Sequence, residues 1–226
     1  YDAAQGILSG LFDFQFDAGG VVQGSGQIDF RFGKDGNWHV YVGTPQNQIS
    51  IKTLFLDSKG YVMAGTQLPT SKLGDVIPAQ YHNDFNSLGP AFNVNNEFGP
   101  IPGVGTIGGG FAMGASTGIS TGGPKKILIF YLDLFARVGF DICLRNMQDV
   151  HCQGKNTIGM DGWYAQGQAY AFLKGDVGIE VDLLIFSGRL SIFNILAGAM
   201  VKAAVPNPTY LEGHLAAKYS VLDGLI

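Results

Sequence analysis

Two cysteines, Cys143 and Cys152, are the only thiols among 226 residues. The eight residues between them, LRNMQDVH, contain a polar turn, so the pair would face each other across a hairpin neck, a separation that suits a disulfide. A Cys143–Cys152 disulfide in an oxidising compartment is the expectation, and two free thiols are the other reading. No CxxC and no zinc spacing accompanies them.

The remaining chemistry-bearing residues are scattered. His39, His82, His151 and His214 each lack a second ligand at metal spacing, so no metal site is expected. Gly103-Val104-Gly105-Thr106-Ile107-Gly108 spells GxGxxG. Pro100 and Pro102 stand where a buried strand should precede it, however, and a Gly-rich alternating run stands where a helix should follow. No cofactor is expected. Asp133, Arg137 and Asp141 recur at intervals of four on one strand face, roughly 13 Å apart. That is too far for a carboxylate dyad and suits a salt-bridged ladder with neighbouring strands. Without a grouped nucleophile, base and oxyanion donors, the chain reads as a non-enzyme. Its most ligand-like surface is Trp163, Tyr164, Gln166, Gln168 and Tyr170, aromatics and amides that suit carbohydrate or a partner protein. The competing reading has these aromatics filling core.

The elements that would carry these residues are strands. Lys126 to Leu144 (KILIFYLDLFARVGFDICL) is apolar at every even position from Leu128 on, and its odd positions turn polar toward the far end. Period two over this length predicts one long central strand with its even residues buried. Leu11–Asp17, Val22–Phe32, Trp38–Gly43, Ile49–Leu56, Tyr61–Gly65, Val104–Ser120, Trp163–Lys174, Val177–Leu183 and Leu211–Val221 alternate likewise, and Gly175-Asp176 reads as a turn. The Ala-rich run 189–205 is ambiguous between strand and helix, with a hairpin favoured. From Gln67 to Pro102 prolines interrupt an Asn-rich run in which 75–86 could carry one helix or turn. The expected fold is all-β: antiparallel meander sheets, as a sandwich or a curled sheet, of long Gly-rich strands with one long irregular loop. Its parts are an N-terminal sheet (1–66), a Pro/Asn-rich excursion between two sheets (67–102) and a long-stranded part (103–226).

Charged residues are 14% of the chain and the formal net charge is −4. A surface so poor in charge suggests an extracellular or partner-covered protein, and the scattered Lys and Arg argue against nucleic-acid binding. No run of about 18 apolar residues predicts a membrane helix. A membrane β-barrel is compatible with the alternating strands. Both ends read as cuts through β-patterned sequence.

Several pieces resemble the giant β-rich secreted surface proteins of Bacteroidetes, those of the TANFOR-domain type: NWHVYVGTP (37–45), GYVMAGTQLP (60–69), FARVGFDICLRN (135–146) with Cys152, GMDGWYAQGQAYAFLKGDVGIEV (159–181) and VPNPTYLEGHLAAKYSVLDGLI (205–226). The resemblance implies a segment of a large exported cell-surface protein and carries over no site residues. The leading expectation is a non-catalytic structural or interaction module at the cell surface, associated with the outer membrane. Its partners would be flanking regions of its own long chain or other surface subunits, with carbohydrate as a further ligand. The alternatives are a carbohydrate- or peptide-binding module and an outer-membrane β-barrel segment. Aromatic girdles at both strand ends would favour the barrel, and a concave patch around Trp163 the binder.

Overall fold

The computed structural model describes residues 2, 6–66, 68, 76–92, 108–147, 158–183 and 186–224, without the side chains of 182, 183, 186 and 187. The described strands form one antiparallel sheet: β1 (Ile7–Ala18), β2 (Val22–Gly33), β3 (Trp38–Val42), β4 (Ile49–Thr53), β5 (Leu56–Gly65), β6 (Gly110–Ser120), β7 (Lys125–Ile127), β8 (Phe130–Asn146), β9 (Trp163–Leu183), β10 (Phe186–Val205) and β11 (Tyr210–Val221). The path across it is β1-β2-β3-β5-β6-β8-β9-β10-β11. The all-β antiparallel expectation therefore holds, as a single sheet rather than a sandwich. The parts on either side of the excursion are one body, because β5 and β6 pair directly from Leu56↔Ile119 to Gly65↔Gly110.

Two strands of the path are interrupted. Both β3 and β4 pair with β2 and β5, one beyond the other, so they act as one strand with residues 43–48 looped out. Likewise β6 and β7 both lie along β8, with residues 121–124 looped out. The path is thus nine strands wide. Its turns follow from local chemistry. Gly19 and Gly20 adopt positive φ, and the Gly20 amide donates to the Asp17 carboxylate at 2.6 Å. In the β2–β3 turn the side chain and amide of Asn37 both donate to Asp35, holding its carboxyl below the usual carboxylate range.

Two local expectations are overturned and one ambiguity is resolved. The stretch 126–144 is two strands, because Leu128-Ile129 form the β7–β8 turn and Leu128 takes a φ of 58°. Gly175-Asp176 lies inside β9, where Gly175 pairs with Leu134 and the Asp176 carboxylate accepts from Tyr131 and Ser191. The run 189–205 is strand, paired with β9 and β11.

The largest correction concerns which face is covered. In β8 the odd residues are buried or half-buried, Tyr131, Asp133, Phe135, Arg137 and Arg145 fully, while Val138, Ile142 and Leu144 are exposed. Part of the reason is the excursion. Its helix α1 (His82–Asn86), flanked by 3-10 turns at 79–81 and 90–92, lies on the odd face. Ile77, Tyr81, Phe85 and Phe92 form the main core there with Phe135, Tyr170, Phe172, Leu196 and Met200. Phe85 meets Phe135 and Phe172 edge-on, at centroid distances of 5.7 and 5.1 Å. The helix falls within the 75–86 stretch where a helix or turn was expected.

Candidate functional site: a sheet with one apolar and one polar face

Strand register carries one face across the whole sheet, and from strand to strand it is apolar. It comprises Phe12, Phe14 and Phe16 of β1, Ile28, Phe30 and Phe32 of β2, Trp38, Val40 and Val42 of β3, and Val62 and Ala64 of β5. It continues through Phe111 and Met113 of β6, the even residues of β8 from Phe130 to Leu144, Ala165 to Ile179 at alternate positions of β9, Ile195 to Val205 of β10, and Leu211 to Val221 of β11. On the nine-strand path no Asp, Glu, Lys or Arg of this register falls among the described side chains. Lys125 of β7, paired with Leu132, stands at one tip of the sheet. Three of the few hydroxyls are satisfied within the face, and that of Tyr219 stands exposed toward the short-turn end. Ser58 and Thr117, in register on adjacent strands, share a hydrogen bond of 2.8 Å, and Thr53 Oγ1 accepts from the Leu56 amide at 3.1 Å.

The two ends of the sheet differ. At one, connections are short: Gly19-Gly20-Val21, Leu54-Phe55 and Leu128-Ile129, while β9 and β10 are two residues apart. At the other, β2 and β3 are joined by four residues, β5 and β6 by 44, β8 and β9 by 16 and β10 and β11 by four. Aromatics of the apolar face mark both ends. Phe32 and Trp38, stacked at 6.4 Å, lie with Phe111 and Trp163 toward the long connections, whereas Phe16, Phe130, Phe193 and Tyr219 lie toward the short ones. Between them β8 to β11 carry mostly Ala, Val, Ile and Leu apart from Phe140, whereas Phe12, Phe14 and Phe30 stand in mid-span on β1 and β2.

The opposite face gathers the charge. Arg137 pairs with Asp57 at 2.6 Å and donates to Ser116 at 3.1 Å. Asp141 accepts from Tyr61 at 2.9 Å and from Gln168 at 3.1 Å. Asp133 accepts from Tyr81 and from Lys174, both at 2.9 Å, and Lys174 reaches on to Asp84 of α1 at 2.7 Å. The salt-bridged ladder expected on Asp133, Arg137 and Asp141 is thus present for Asp133 and Arg137, whereas Asp141 is held by the neutral Tyr61 and Gln168. Glycines in β6 make the bridges from β5 to β8 possible. A Cβ on Gly114 would stand 2.2 Å from the Asp141 carboxylate and 2.4 Å from the Tyr61 ring, so only glycine lets these two side chains meet over β6. That role explains part of the glycine density of this strand, which sequence alone suggested as bending or close backbone packing.

The five residues expected to form a ligand surface do not share one. Trp163 is on the apolar face, half exposed. Tyr164, Gln166, Gln168 and Tyr170 are on the polar face, where Tyr164 is buried and donates to the Pro208 carbonyl at 3.1 Å, and Gln168 is committed to Asp141. Tyr170 is buried against Phe172. The reading in which the tyrosines fill core fits this arrangement. Of the histidines, His39 stacks on Tyr41 at 4.3 Å and its Nε2 lies 3.3 Å from Asp29, His82 shares a 2.8 Å hydrogen bond with the Ile77 carbonyl, and His214 contacts Glu212. His151 and residues 103–107 lie outside the described residues. No three His, Cys, Asp or Glu side chains converge as a metal site among those described.

Cys143 is a free thiol, half-buried on the polar face, and its Sγ accepts from Arg145 Nε at 3.2 Å. Cys152 lies outside the described residues. The expected Cys143–Cys152 disulfide is not present in the structure.

Lys174, Asp57, Tyr61 and Asp84 were not singled out from sequence. The available signal was the parity of β5 and β9, which places Asp57, Tyr61 and Lys174 opposite the apolar register. No family model, curated protein or solved structure matches the chain.

Proposed function

We propose that this chain is the wall of a membrane-spanning β-barrel of the outer-membrane type, with its apolar face against lipid and its polar face toward an aqueous interior partly occupied by the 76–92 segment. The observation that carries this reading is the charge-free register running through every strand of the path. In lipid the usual rule inverts, and strands alternate apolar outward and polar inward. A strand of about 9–11 residues spans a bilayer core, and β1, β2 and β11 have 12 each while β8, β9 and β10 are longer.

Four further features support it. Aromatics at both strand ends match interfacial girdles, and short turns at one end with long connections at the other match the asymmetry of such barrels. The hydroxyls of Thr53, Ser58 and Thr117 are paired within the apolar face, and that of Tyr219 lies toward one end, so little in mid-face calls for water. Lys125 sits at a tip, where its ammonium reaches the headgroups while its stem stays apolar. No described helix is long and apolar enough to cross a membrane. The role is structural: a scaffold whose long connections stand at one membrane surface, available to other surface subunits or to carbohydrate.

The two tryptophans in the sequence provide the test. Trp38 and Trp163 both lie on the apolar face toward the long-connection end. In vesicles, their fluorescence is expected to be quenched by lipids brominated near the headgroup more strongly than by lipids brominated near the chain end. A chain that stays monodisperse in detergent-free buffer and shows no quenching would refute the membrane reading, and a module covered by other protein would replace it.

A further inference from the structure

A sheet surrounded by lipid has no water to satisfy an open border, so the N–H and C=O groups along its edges must meet another strand. In the described residues the borders are β1, paired with β2, and β11, paired with β10. Nearly the whole length of β1 is exposed. The path has nine strands, each antiparallel to the next, so β1 and β11 point the same way. Thus β1 starts at the long-connection end, where Ile7 pairs with Gly33, and β11 finishes at the short-turn end.

Direct closure would make β1–β11 a parallel pair in a sheet whose every other pairing is antiparallel. It would also make a ring of nine. An eight-stranded ring is filled by its own side chains, and eleven-stranded cans are the kind that enclose a helix. Here the polar face carries Phe135, Tyr170, Phe172 and the 76–92 segment as well, and a helix with its side chains is about 10 Å across. Nine strands leave too little room.

Resting on the barrel reading, we infer that the wall is completed by an odd number of further membrane strands of the same polypeptide outside these 226 residues. One of them lies antiparallel along the free edge of β1. An odd number restores antiparallel pairing at both borders. The same polypeptide is the source because the meander never departs from chain order, so strands that are neighbours in the sheet are successive passes of the chain. The strand beside β1 climbs from the short-turn end, turns at the long-connection end and returns as β1. It presents apolar residues beside Phe12, Phe14 and Phe16.

The test is a photo-crosslink in the full-length protein in its native membrane, with benzoylphenylalanine in place of Phe14 and the crosslinked peptide sequenced by mass spectrometry. The expected partner is a peptide of the same polypeptide from outside residues 1–226, together with slow hydrogen exchange of the β1 amides. A partner peptide from 210–221 of the same molecule would mean direct closure. A partner from a second copy, recognised by mixed isotope labelling, or from another protein would mean closure by assembly. Fast exchange along β1 would mean an open edge. Each of these three results overturns the inference. If they occur while Trp38 and Trp163 are still quenched by brominated lipid, the closure fails and the barrel reading stands.

Discussion

Replacing Lys174 by methionine is expected to destabilise the folded chain by about 3–5 kcal/mol, the usual consequence of removing one partner from a buried ion pair. The Lys174 ammonium lies between Asp133, whose side chain is only 5% exposed, and Asp84 of α1. Without it Asp133 keeps the hydroxyls of Tyr81 and Thr121 but no countercharge. Asp84, more exposed, turns to solvent. The loss therefore falls on the contact between sheet and excursion, and protease cleavage within 76–92 should accelerate alongside the drop in urea midpoint. The double variant Asp133→Leu/Lys174→Met should recover most of the stability, because replacing a whole buried pair by apolar groups is often neutral. A single variant as stable as the parent would show that the pair contributes nothing to docking.

Val138→Arg is the second large effect. The side chain is 54% exposed midway along β8, between Thr117 and Ala171. On a protein surface in water such a substitution changes stability by less than about 0.5 kcal/mol. Facing the bilayer midplane, it should cost about 2–4 kcal/mol. Reversible urea unfolding in lipid vesicles measures the difference, with Gln15→Arg on the polar face of β1 as the control expected to be near neutral. Equal, small effects at both positions would return the apolar face to water or to a protein partner.

Much of the fold was legible as alternation: β1, β2, β6, β8, β9 and β11 all show period two, and the long excursion announces itself by its prolines. The direction of the faces was not. Alternation separates Phe140 from Asp141 but does not say which meets solvent, because that depends on whether the solvent is water or hydrocarbon. Burying the even residues of β8 follows for water, and the sheet buries the odd ones. Turns were misread for a related reason. Leu128-Ile129 and Leu54-Phe55 carry none of the usual turn residues, whereas Gly175-Asp176 carries both and lies within a strand held by Tyr131 and Ser191. For the polar network, the spacing of Asp133, Arg137 and Asp141 pointed to a ladder, but its partners are set by register between distant strands. Asp57 and Arg137 are 80 residues apart, and nothing local to either identifies the other.

The seam between β5 and β6 has a kinetic consequence. Most neighbouring passes of this meander are joined by two to 16 residues, so their hairpins form from local encounters, but β5 and β6 must find each other across 44. Closing that loop costs roughly 2 kcal/mol more than closing the four-residue turn after β2, by the logarithmic dependence of closure entropy on length. Assembly should therefore proceed from two nuclei, β1–β5 and β6–β11, that zip separately and join late. The Arg137–Asp57 and Tyr61–Asp141 bridges, spanning β6, then act as a latch on the slowest step. Their removal should speed the parting of the halves far more than it slows their meeting.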